Sequence, residues 1–306
     1  MSTASAAKPN PATALTPDTN YPARAPAPIA TARPAAAGQA GLTAAELELF
    51  YIKGWVLKKG LFDQARIAAL AAEVDGLHEH MATPGIEADY QQRFPHFCSV
   101  GAAWEEHLDA TKPKRIRQLM GSQIVSPVID RMSRSEEILA VMRQVVGEHV
   151  YLYHSKLMMK AAHDGSFTPW HQDYQYWQFE TRTPSQVNCM LFIDGSDEDN
   201  GCLRMVDGSH QLGLLPIHNL KSSSFNIGLA GSLSDYPSTS IPTEPGDAIF
   251  FGSYVIHGSG PNHSARHRRA NTFAFDRAGN FGKRGDEPKG LPLSYHRCGA
   301  VDPLSR

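Results

Sequence analysis

The chain has 306 residues, with 29 Lys and Arg against 31 Asp and Glu, so its formal net charge is −2. This near-balance argues against a nucleic-acid-binding protein, which carries a basic excess, and against attraction to an anionic membrane. Hydrophobic residues make up 42% of the chain, enough for a packed core, but no apolar stretch approaches the roughly 20 residues that span a bilayer. The four cysteines are scattered without a close pair, which argues against a disulfide scaffold and favours a reducing compartment, expected to be the cytoplasm.

The composition of residues 1–41 predicts a disordered arm. The first 40 residues hold 14 Ala and 7 Pro, with Asp18 as the one acidic residue and Tyr21 as the one aromatic residue. Such a segment cannot bury enough apolar surface to offset the entropy of ordering it. We therefore expect an Ala/Pro-rich arm over residues 1–41, followed by a single domain over residues 42–306.

The domain is expected to open on a helix. Thr43 and Glu46 match a capping box, and Leu42 and Leu47 match the hydrophobic staple that fixes how a chain enters a helix. The apolar run at residues 55–57 then predicts a short strand.

Two further helices follow in the predicted helical layer, which covers about residues 42–147. Asp63 caps the first of them. Its apolar residues recur at helical spacing, at Ile67, Leu70, Val74 and Leu77. The second covers residues 135–146 and ends at Gly147. Residues 90–130 show no sustained period and predict short helices and loops.

From about residue 148 to residue 280 the pattern changes to short strands separated by turns. Five strand-like runs lie at residues 149–160, 186–194, 202–206, 247–256 and 269–277. No helical period alternates with these runs, which argues against a parallel βαβ sheet. The expected architecture is a mainly β sandwich or barrel with flanking N-terminal helices.

A His-x-Asp pattern at His171 and Asp173 marks a candidate metal site. In an extended segment, residues i and i+2 point to the same side, so both side chains can bind one ion. The same pattern at His107 and Asp109 lies in residues 102–110, where a helix is expected and the two side chains would diverge. We expect a solvated pair there.

His257 is the candidate third ligand, because it ends the apolar run at residues 248–256. Two His and one carboxylate form the facial triad that leaves positions open on Fe(II), suited to a bidentate 2-oxo acid and O2. A zinc site can use the same ligand types, so the residues alone leave both metals open.

An anionic co-substrate buried beside such a metal needs a cationic partner, preferably a bidentate Arg. Arg266, Arg268 and Arg269 follow His257 on the next predicted strand. If that strand pairs antiparallel with residues 248–256, at least one Arg should point toward the metal, although the spacing does not select which.

Four ordered motifs carry a resemblance to a known family. They are Gly-Trp-Val-Leu with Leu-Phe-Asp at residues 54–63, Trp-His-Gln-Asp with Tyr-Trp at residues 170–177, Asn-Gly-Cys-Leu with Gly-Ser-His at residues 200–210, and His-Gly-Ser-Gly through Arg at residues 257–268. Together they make the sequence similar, across residues 45–280, to the phytanoyl-CoA dioxygenase family of Fe(II)- and 2-oxoglutarate-dependent oxygenases.

The resemblance implies a double-stranded β-helix core, the jelly-roll or cupin-like fold, packed by the N-terminal helices. It implies an oxygenase whose co-substrates are 2-oxoglutarate and O2, whose products include succinate and CO2, and whose iron ligands are His171, Asp173 and His257. Because related halogenases replace the carboxylate ligand with a small residue, Asp173 predicts oxygenation.

The resemblance also assigns residues around the iron. It implies that Arg268 holds the distal carboxylate of 2-oxoglutarate, that Ser259 assists, and that Trp177 contacts the substrate, as the equivalent aromatic residue does in some family members. From its position before a turn, Thr168 can reach the co-substrate. Lys156 lies on one face of its predicted strand and is a candidate contact for an acidic substrate or co-substrate.

The expected function is hydroxylation of an aliphatic C–H bond of a small molecule, in specialised metabolism. The lack of a conspicuous basic cluster weighs against a CoA thioester. Desaturation, ring closure and epimerisation use the same iron ligands and stay open. Two alternatives from other classes also stay open, namely a non-catalytic jelly-roll sensor and a zinc hydrolase with the same ligands.

Overall fold

A computed structural model of the chain describes residues 33–36, 38–93, 100–104, 115–163, 167–216, 218–219, 227–229 and 236–280. Most of the predicted arm, residues 1–32 and residue 37, therefore lies outside the described residues. Arg33 contacts the domain, since the side-chain amide of Gln144 donates to the carbonyl oxygen of Arg33 over 2.6 Å. None of the helices in these ranges combines the length and the apolar character needed to cross a membrane.

The helices and strands follow in chain order. The helices are α1 (Ala44–Lys53), α2 (Gln64–Met81), α3 (Ile86–Arg93), α4 (Ser122–Val125), α5 (Pro127–Ser133), α6 (Glu136–Val145) and α7 (Tyr174–Trp177). The strands are β1 (Trp55–Lys58), β2 (Gly101–Trp104), β3 (Ile116–Met120), β4 (Val150–Lys160), β5 (Thr168–His171), β6 (Val187–Phe192), β7 (Leu203–Met205), β8 (His218–Asn219), β9 (Ile227–Gly228), β10 (Thr239–Ile241), β11 (Ala248–Gly252), β12 (His257–Ser259) and β13 (Arg268–Arg277).

Local signals begin the first two helices. The capping box of α1 is complete, because the Thr43 side chain accepts from the backbone N–H of Glu46 and the Glu46 side chain accepts from that of Thr43. The side chain of Asp63 caps α2 by accepting from the N–H of Arg66. The predicted apolar face of α2 is buried, which confirms both helices.

Eleven of these strands form two antiparallel sheets that enclose the interior of the domain, and β8 and β9 pair as a separate two-stranded sheet. The larger has seven strands in the order β1-β11-β6-β13-β4-β3-β2, and the smaller has four in the order β10-β7-β12-β5. The inner faces pack through apolar residues of both sheets, including Phe192 and Phe251 from the larger and Leu203 and Met205 from the smaller. The outer face of the larger sheet packs against the helices. The mainly β fold with flanking helices is confirmed.

The larger sheet extends further than the sequence predicts. Residues 90–130 contain the two strands β2 and β3 besides short helices, and β3 pairs with β4 through Leu119 opposite Leu157. The helix expected over residues 102–110 is wrong for the described part, since Gly101–Trp104 pairs with β3. This segment is a strand because it pairs with the edge of the sheet, although its Ala content favours a helix. His107 and Asp109 lie outside the described residues.

The buried carboxylate of Asp276, near the end of β13, binds the segment that connects α7 to β6. Asp276 is fully buried and accepts hydrogen bonds from Ser185 Oγ at 2.6 Å, Gln186 Nε2 at 2.9 Å, Asn280 Nδ2 at 2.9 Å and Tyr151 Oη at 3.2 Å. Burial raises the pKa of Asp276, although the hydrogen bonds act in the opposite direction. Asp276 thus satisfies donors from three separate stretches of chain.

Replacing Asp276 with Ala should destabilise the fold strongly. Each buried donor left without a partner costs about 1–3 kcal/mol, so we expect the free energy of unfolding to fall by at least about 3 kcal/mol. Urea denaturation followed by circular dichroism measures the change. Asp199→Ala, which removes an exposed carboxylate, is the matched control. A loss below about 0.5 kcal/mol for Asp276→Ala, the size of an ordinary surface substitution, would show that the network does not stabilise the domain.

Candidate metal centre

Two histidines face each other across neighbouring strands of the smaller sheet. His171 ends β5 and His257 begins β12, the two residues are register partners, and their ring centroids are 4.1 Å apart. In each ring Nδ1 lies 2.9 Å from the carbonyl oxygen two residues earlier in the chain, that of Pro169 or Val255. A carbonyl oxygen can only accept, so Nδ1 carries the proton and the lone pair of a neutral ring is on Nε2. Both rings are therefore oriented as metal ligands.

His257 reaches this place by a turn that the sequence does not reveal. The apolar run at residues 248–256 predicts one strand that ends at His257. The strand β11 instead ends at Gly252, and the chain crosses to the other sheet before β12 begins. The two histidines consequently belong to one sheet and meet as direct neighbours.

Asp173 joins the histidines from a turn. The expected extended geometry is wrong at this residue, because its φ of −61° and ψ of −31° are helical and it lies at the start of α7. Its carboxylate still lies between the rings, with Oδ1 3.5 Å from Nε2 of His171 and Oδ2 3.7 Å from Nε2 of His257. The donor atoms of the three residues all lie within 4.8 Å of one another.

The turn before Asp173 is held by Gln172. Its buried amide nitrogen donates to the carbonyl oxygens of Gly213 at 2.8 Å and Tyr254 at 2.7 Å, and its amide oxygen accepts from the N–H of Leu215 at 2.8 Å. All three partners are backbone groups. Gln172 therefore fixes the point at which the chain leaves β5, and with it the direction of Asp173.

The electrostatics of the three residues favour the protonation states that bind a cation. Burial acts to raise the pKa of Asp173, but the neighbouring His257, His171 and Lys156 outweigh it, and the pKa lies well below its usual range. Burial, assisted by the adjacent His171, lowers the pKa of His257 to about 4. At neutral pH the site therefore holds a carboxylate and a neutral imidazole, as metal binding requires.

Asn188 is a member of the site that the sequence analysis missed. It lies on β6, and its Nδ2 donates to Oδ2 of Asp173 over 2.7 Å. Its one sequence signal is a polar residue within the apolar strand Val187–Phe192. This hydrogen bond fixes one carboxylate oxygen and leaves the other free to turn toward an ion.

Arg268 enters the same cavity from the first residue of β13. It is 2% exposed, its guanidinium carbon lies 5.3 Å from the ring centre of Phe192, and its Nε and Nη2 have no hydrogen-bond partner. Burial lowers the pKa of Arg268 to about 10, which leaves it charged at neutral pH. An unpaired buried guanidinium is costly, so the arrangement fits an anion that completes it.

The structure also selects among the three arginines that the sequence offered. Their strand does not pair with residues 248–256, because β6 lies between β11 and β13. Arg266 is exposed and pairs with Asp197, while Arg269 pairs with Asp194 and Asp75 on the outer side of the sheet. Arg268 lines the cavity, because alternate residues of a strand face opposite sides.

The other predicted site residues line this same cavity. Thr168 and Ser259 are register partners on β5 and β12. They lie toward Arg268, because the carbonyl oxygen of Gly260, the residue after Ser259, accepts from Lys160, the register partner of Arg268. Trp177 lies at the opposite end, with its ring centroid 5.4 Å from that of His154. Lys156 is half-buried on β4 and also faces the cavity.

A family model matches most of this chain. The model described as phytanoyl-CoA dioxygenase matches residues 50–270, which cover more than half of the sequence and include all three candidate ligands and Arg268. The family resemblance drawn from the four motifs is thereby confirmed.

Curated relatives and solved structures agree with this match. The chain is 27% identical over 247 residues to ectoine dioxygenase from Bordetella bronchiseptica, covering 76% of this chain and 74% of that protein. It is 29% identical over 184 residues to L-proline trans-4-hydroxylase from Streptomyces griseoviridis, covering 54% and 69%. The crystal structure of EctD from S. alaskensis with bound Fe superposes with a TM-score of 0.67 over 92% of both chains at 18% identity. This superposition confirms the expected jelly-roll fold.

Proposed function

The chain belongs to the phytanoyl-CoA dioxygenase family, and from that premise we propose that it hydroxylates an aliphatic C–H bond of a small molecule. It is a 2-oxoglutarate-dependent non-haem iron dioxygenase whose cofactor is Fe(II) and whose co-substrates are 2-oxoglutarate and O2. The observation that carries the proposal is the buried set of His171, Asp173 and His257 in one cavity with the unpaired Arg268.

His171, Asp173 and His257 hold the iron in this proposal. Their Nε2 and carboxylate atoms already converge, and a facial set of three protein ligands leaves the remaining positions open. The bound iron would supply the redox chemistry, in which O2 is reduced, 2-oxoglutarate leaves as succinate and CO2, and one substrate C–H bond is oxidised. The protein's own part is to orient the ligands, position the C–H bond and exclude water.

Arg268 holds the co-substrate in this proposal. Its two unpaired N–H groups match the fork geometry that binds a carboxylate through two parallel hydrogen bonds. Thr168 and Ser259 lie beside it and offer hydroxyl groups to the same anion. The ring of Phe192 and other apolar side chains of the cavity keep water from this charge pair.

The substrate occupies the opposite end of the cavity in this proposal. Trp177 and Lys156 contact it, and its carbon frame lies between the sheets. The relatives named as acting on ectoine and L-proline support a small substrate. We place the enzyme in the cytoplasm because its described cysteines, Cys189 and Cys202, are buried free thiols. A role in specialised metabolism stays a prediction.

Anaerobic addition of Fe(II) and 2-oxoglutarate to the purified protein tests the proposal. We expect a weak visible charge-transfer band from the chelate and, after admission of air, succinate release that a substrate stimulates. A protein that gives neither band nor succinate would fit a non-catalytic sensor. Bound zinc with turnover that proceeds without O2 would fit a hydrolase.

Asn188→Leu should weaken iron binding. The substitution keeps the branched shape of the side chain but removes the donor that fixes Asp173, and the loss of such a partner commonly costs 10–100-fold in metal affinity. We therefore expect the Fe(II) dissociation constant to rise about 10–100-fold, measured anaerobically by competition with a chelator. Met190→Leu is the matched control, because Met190 lies on the same face of β6 and also lines the cavity. Equal iron affinity of the Asn188 variant and the wild type would remove Asn188 from the site.

A further inference from the structure

Lys156 presents a cation to the cavity that no described residue neutralises. On β4 it is the register partner of Thr272 on β13, and the alternate residues His154 and Met158 line the same cavity. No hydrogen bond or salt bridge reaches its ammonium from the described parts of the chain. Burial lowers the pKa of Lys156, and the carboxylate of Asp173 opposes that shift. Asp173 is the nearest compensating charge, but in the proposed function that carboxylate is engaged by the metal.

The charges of the cavity do not balance when the site is loaded. Among the described lining residues Asp173 contributes one negative charge, while Lys156 and Arg268 contribute two positive charges. Burial and the adjacent Lys156 lower the pKa of His154 to about 3, so this imidazole is neutral. Fe(II) and doubly ionised 2-oxoglutarate add charges that cancel. One positive charge inside the cavity therefore remains, and an anion that pairs with it there would stabilise it.

The two cations serve opposite ends of the cavity. Arg268 is the register partner of Lys160, and Thr272 is the partner of Lys156, so the two positions are four residues apart on β13, about 13 Å along the strand. The Arg268 end contains Thr168 and Ser259, as the proposed co-substrate site requires.

The end of the cavity near Lys156 contains two further polar atoms without a hydrogen-bond partner. His154 Nδ1 and Asn188 Oδ1 are buried without a hydrogen-bond partner, and both residues line the cavity. Asn188 is fixed in orientation because its Nδ2 donates to Asp173, so its oxygen is an available acceptor. The ring of Trp177 packs against His154 and closes this end with an apolar surface. The cavity therefore offers a cation, an acceptor and an apolar wall outside the co-substrate site.

We propose that Lys156 anchors the substrate through a carboxylate, and that the substrate is a small polar organic acid carrying an N–H or O–H donor for Asn188 Oδ1. The ammonium binds a carboxylate as a point charge through a charge-assisted hydrogen bond. The aliphatic portion of the substrate would then lie toward Trp177 and Met158, which line the cavity that also contains the iron ligands. This inference rests on the proposed function for the position of the metal and the co-substrate.

Matched pairs of ligands test the proposal by direct binding. The probes are small aliphatic amino acids and hydroxy acids, each compared with its primary amide, added to full-length protein loaded with Zn(II) in place of Fe(II) and with 2-oxoglutarate. Ligand-observed NMR should detect binding of acids and at least tenfold weaker binding of their amides. Lys156→Gln should abolish this preference, whereas Lys59→Gln, which removes an exposed lysine, should retain it. Amides that bind as well as the acids, a preference that survives in Lys156→Gln, or a panel without any acid that binds would each overturn the proposal.

A co-substrate titration separates this inference from the proposed function. The charge-transfer band of the Fe(II)-loaded Lys156→Gln protein should give a 2-oxoglutarate dissociation constant within threefold of the wild-type value. A large loss of 2-oxoglutarate affinity would assign Lys156 to the co-substrate and overturn the inference alone. A wild-type protein without any band would overturn the proposed function, and this inference with it.

Discussion

Asp173→Ala is expected to abolish turnover and to lower the affinity for Fe(II) by at least about 100-fold. This loss of affinity is larger than the roughly 10–100-fold that follows when a hydrogen-bond partner of a ligand is removed. The carboxylate is the one anionic ligand between two neutral imidazoles, and it lies within 4 Å of both Nε2 atoms. Without it the metal would be held by two neutral rings in a cavity that already contains two other cations. Chelator competition under anaerobic conditions measures the affinity, and succinate formation measures the turnover.

Asp199→Ala is the matched control for this experiment, because it removes a carboxylate of the same chemistry from an exposed turn. Circular dichroism and thermal unfolding of the metal-free proteins show whether Asp173→Ala remains folded. Undiminished succinate release by a folded Asp173→Ala protein would refute the assignment of Asp173 as a ligand.

Arg268→Met is expected to raise the dissociation constant of 2-oxoglutarate by at least about 30-fold, because removing one partner of a buried charge pair costs about 2–5 kcal/mol. The same substitution should not lower the stability of the ligand-free protein. In the ligand-free protein the guanidinium is buried without full hydrogen bonding, so an apolar side chain of similar length should leave the free energy of unfolding unchanged or increase it. Loss of affinity without loss of stability distinguishes a binding residue from a structural one.

Two further variants sharpen the result for Arg268. Arg268→Lys keeps the charge but loses the two-pronged hydrogen bonding, and we expect an intermediate affinity. Arg266→Met removes an exposed arginine two residues away and should match the wild type. Titration of the anaerobic charge-transfer band gives all the dissociation constants. A 2-oxoglutarate affinity of Arg268→Met equal to that of the wild type would place the distal carboxylate elsewhere in the cavity.

The sequence predicts those parts of the fold that depend on local signals. The capping residues Thr43 and Asp63 and the apolar spacing along α2 act within one or two turns of helix, so their helices are visible in the sequence. The strand Gly101–Trp104 is not, because its structure depends on pairing with β3. The separation of β11 from β13 by β6 is likewise a long-range property, which no spacing between His257 and Arg268 encodes.

The candidate site shows the same division. Chemical type and motif order identify His171, Asp173, His257 and Arg268, and the structure brings all four to one cavity. The geometric reason first given for Asp173 is wrong, because its direction is fixed by hydrogen bonds from Gln172 to residues about 40 and 80 positions later. Asn188 has no motif of its own, and its role depends on the pairing of β6 inside the sheet.

The most direct test of the iron site is a crystal structure of the protein prepared with Fe(II) and 2-oxoglutarate without O2, with anomalous data collected on both sides of the iron absorption edge. We predict one strong anomalous peak about 2.0–2.2 Å from Nε2 of His171, Nε2 of His257 and a carboxylate oxygen of Asp173. 2-Oxoglutarate should fill the side of the metal that faces Arg268. An iron peak elsewhere in the molecule, or a metal there whose coordination is completed by a fourth protein side chain, would contradict the account.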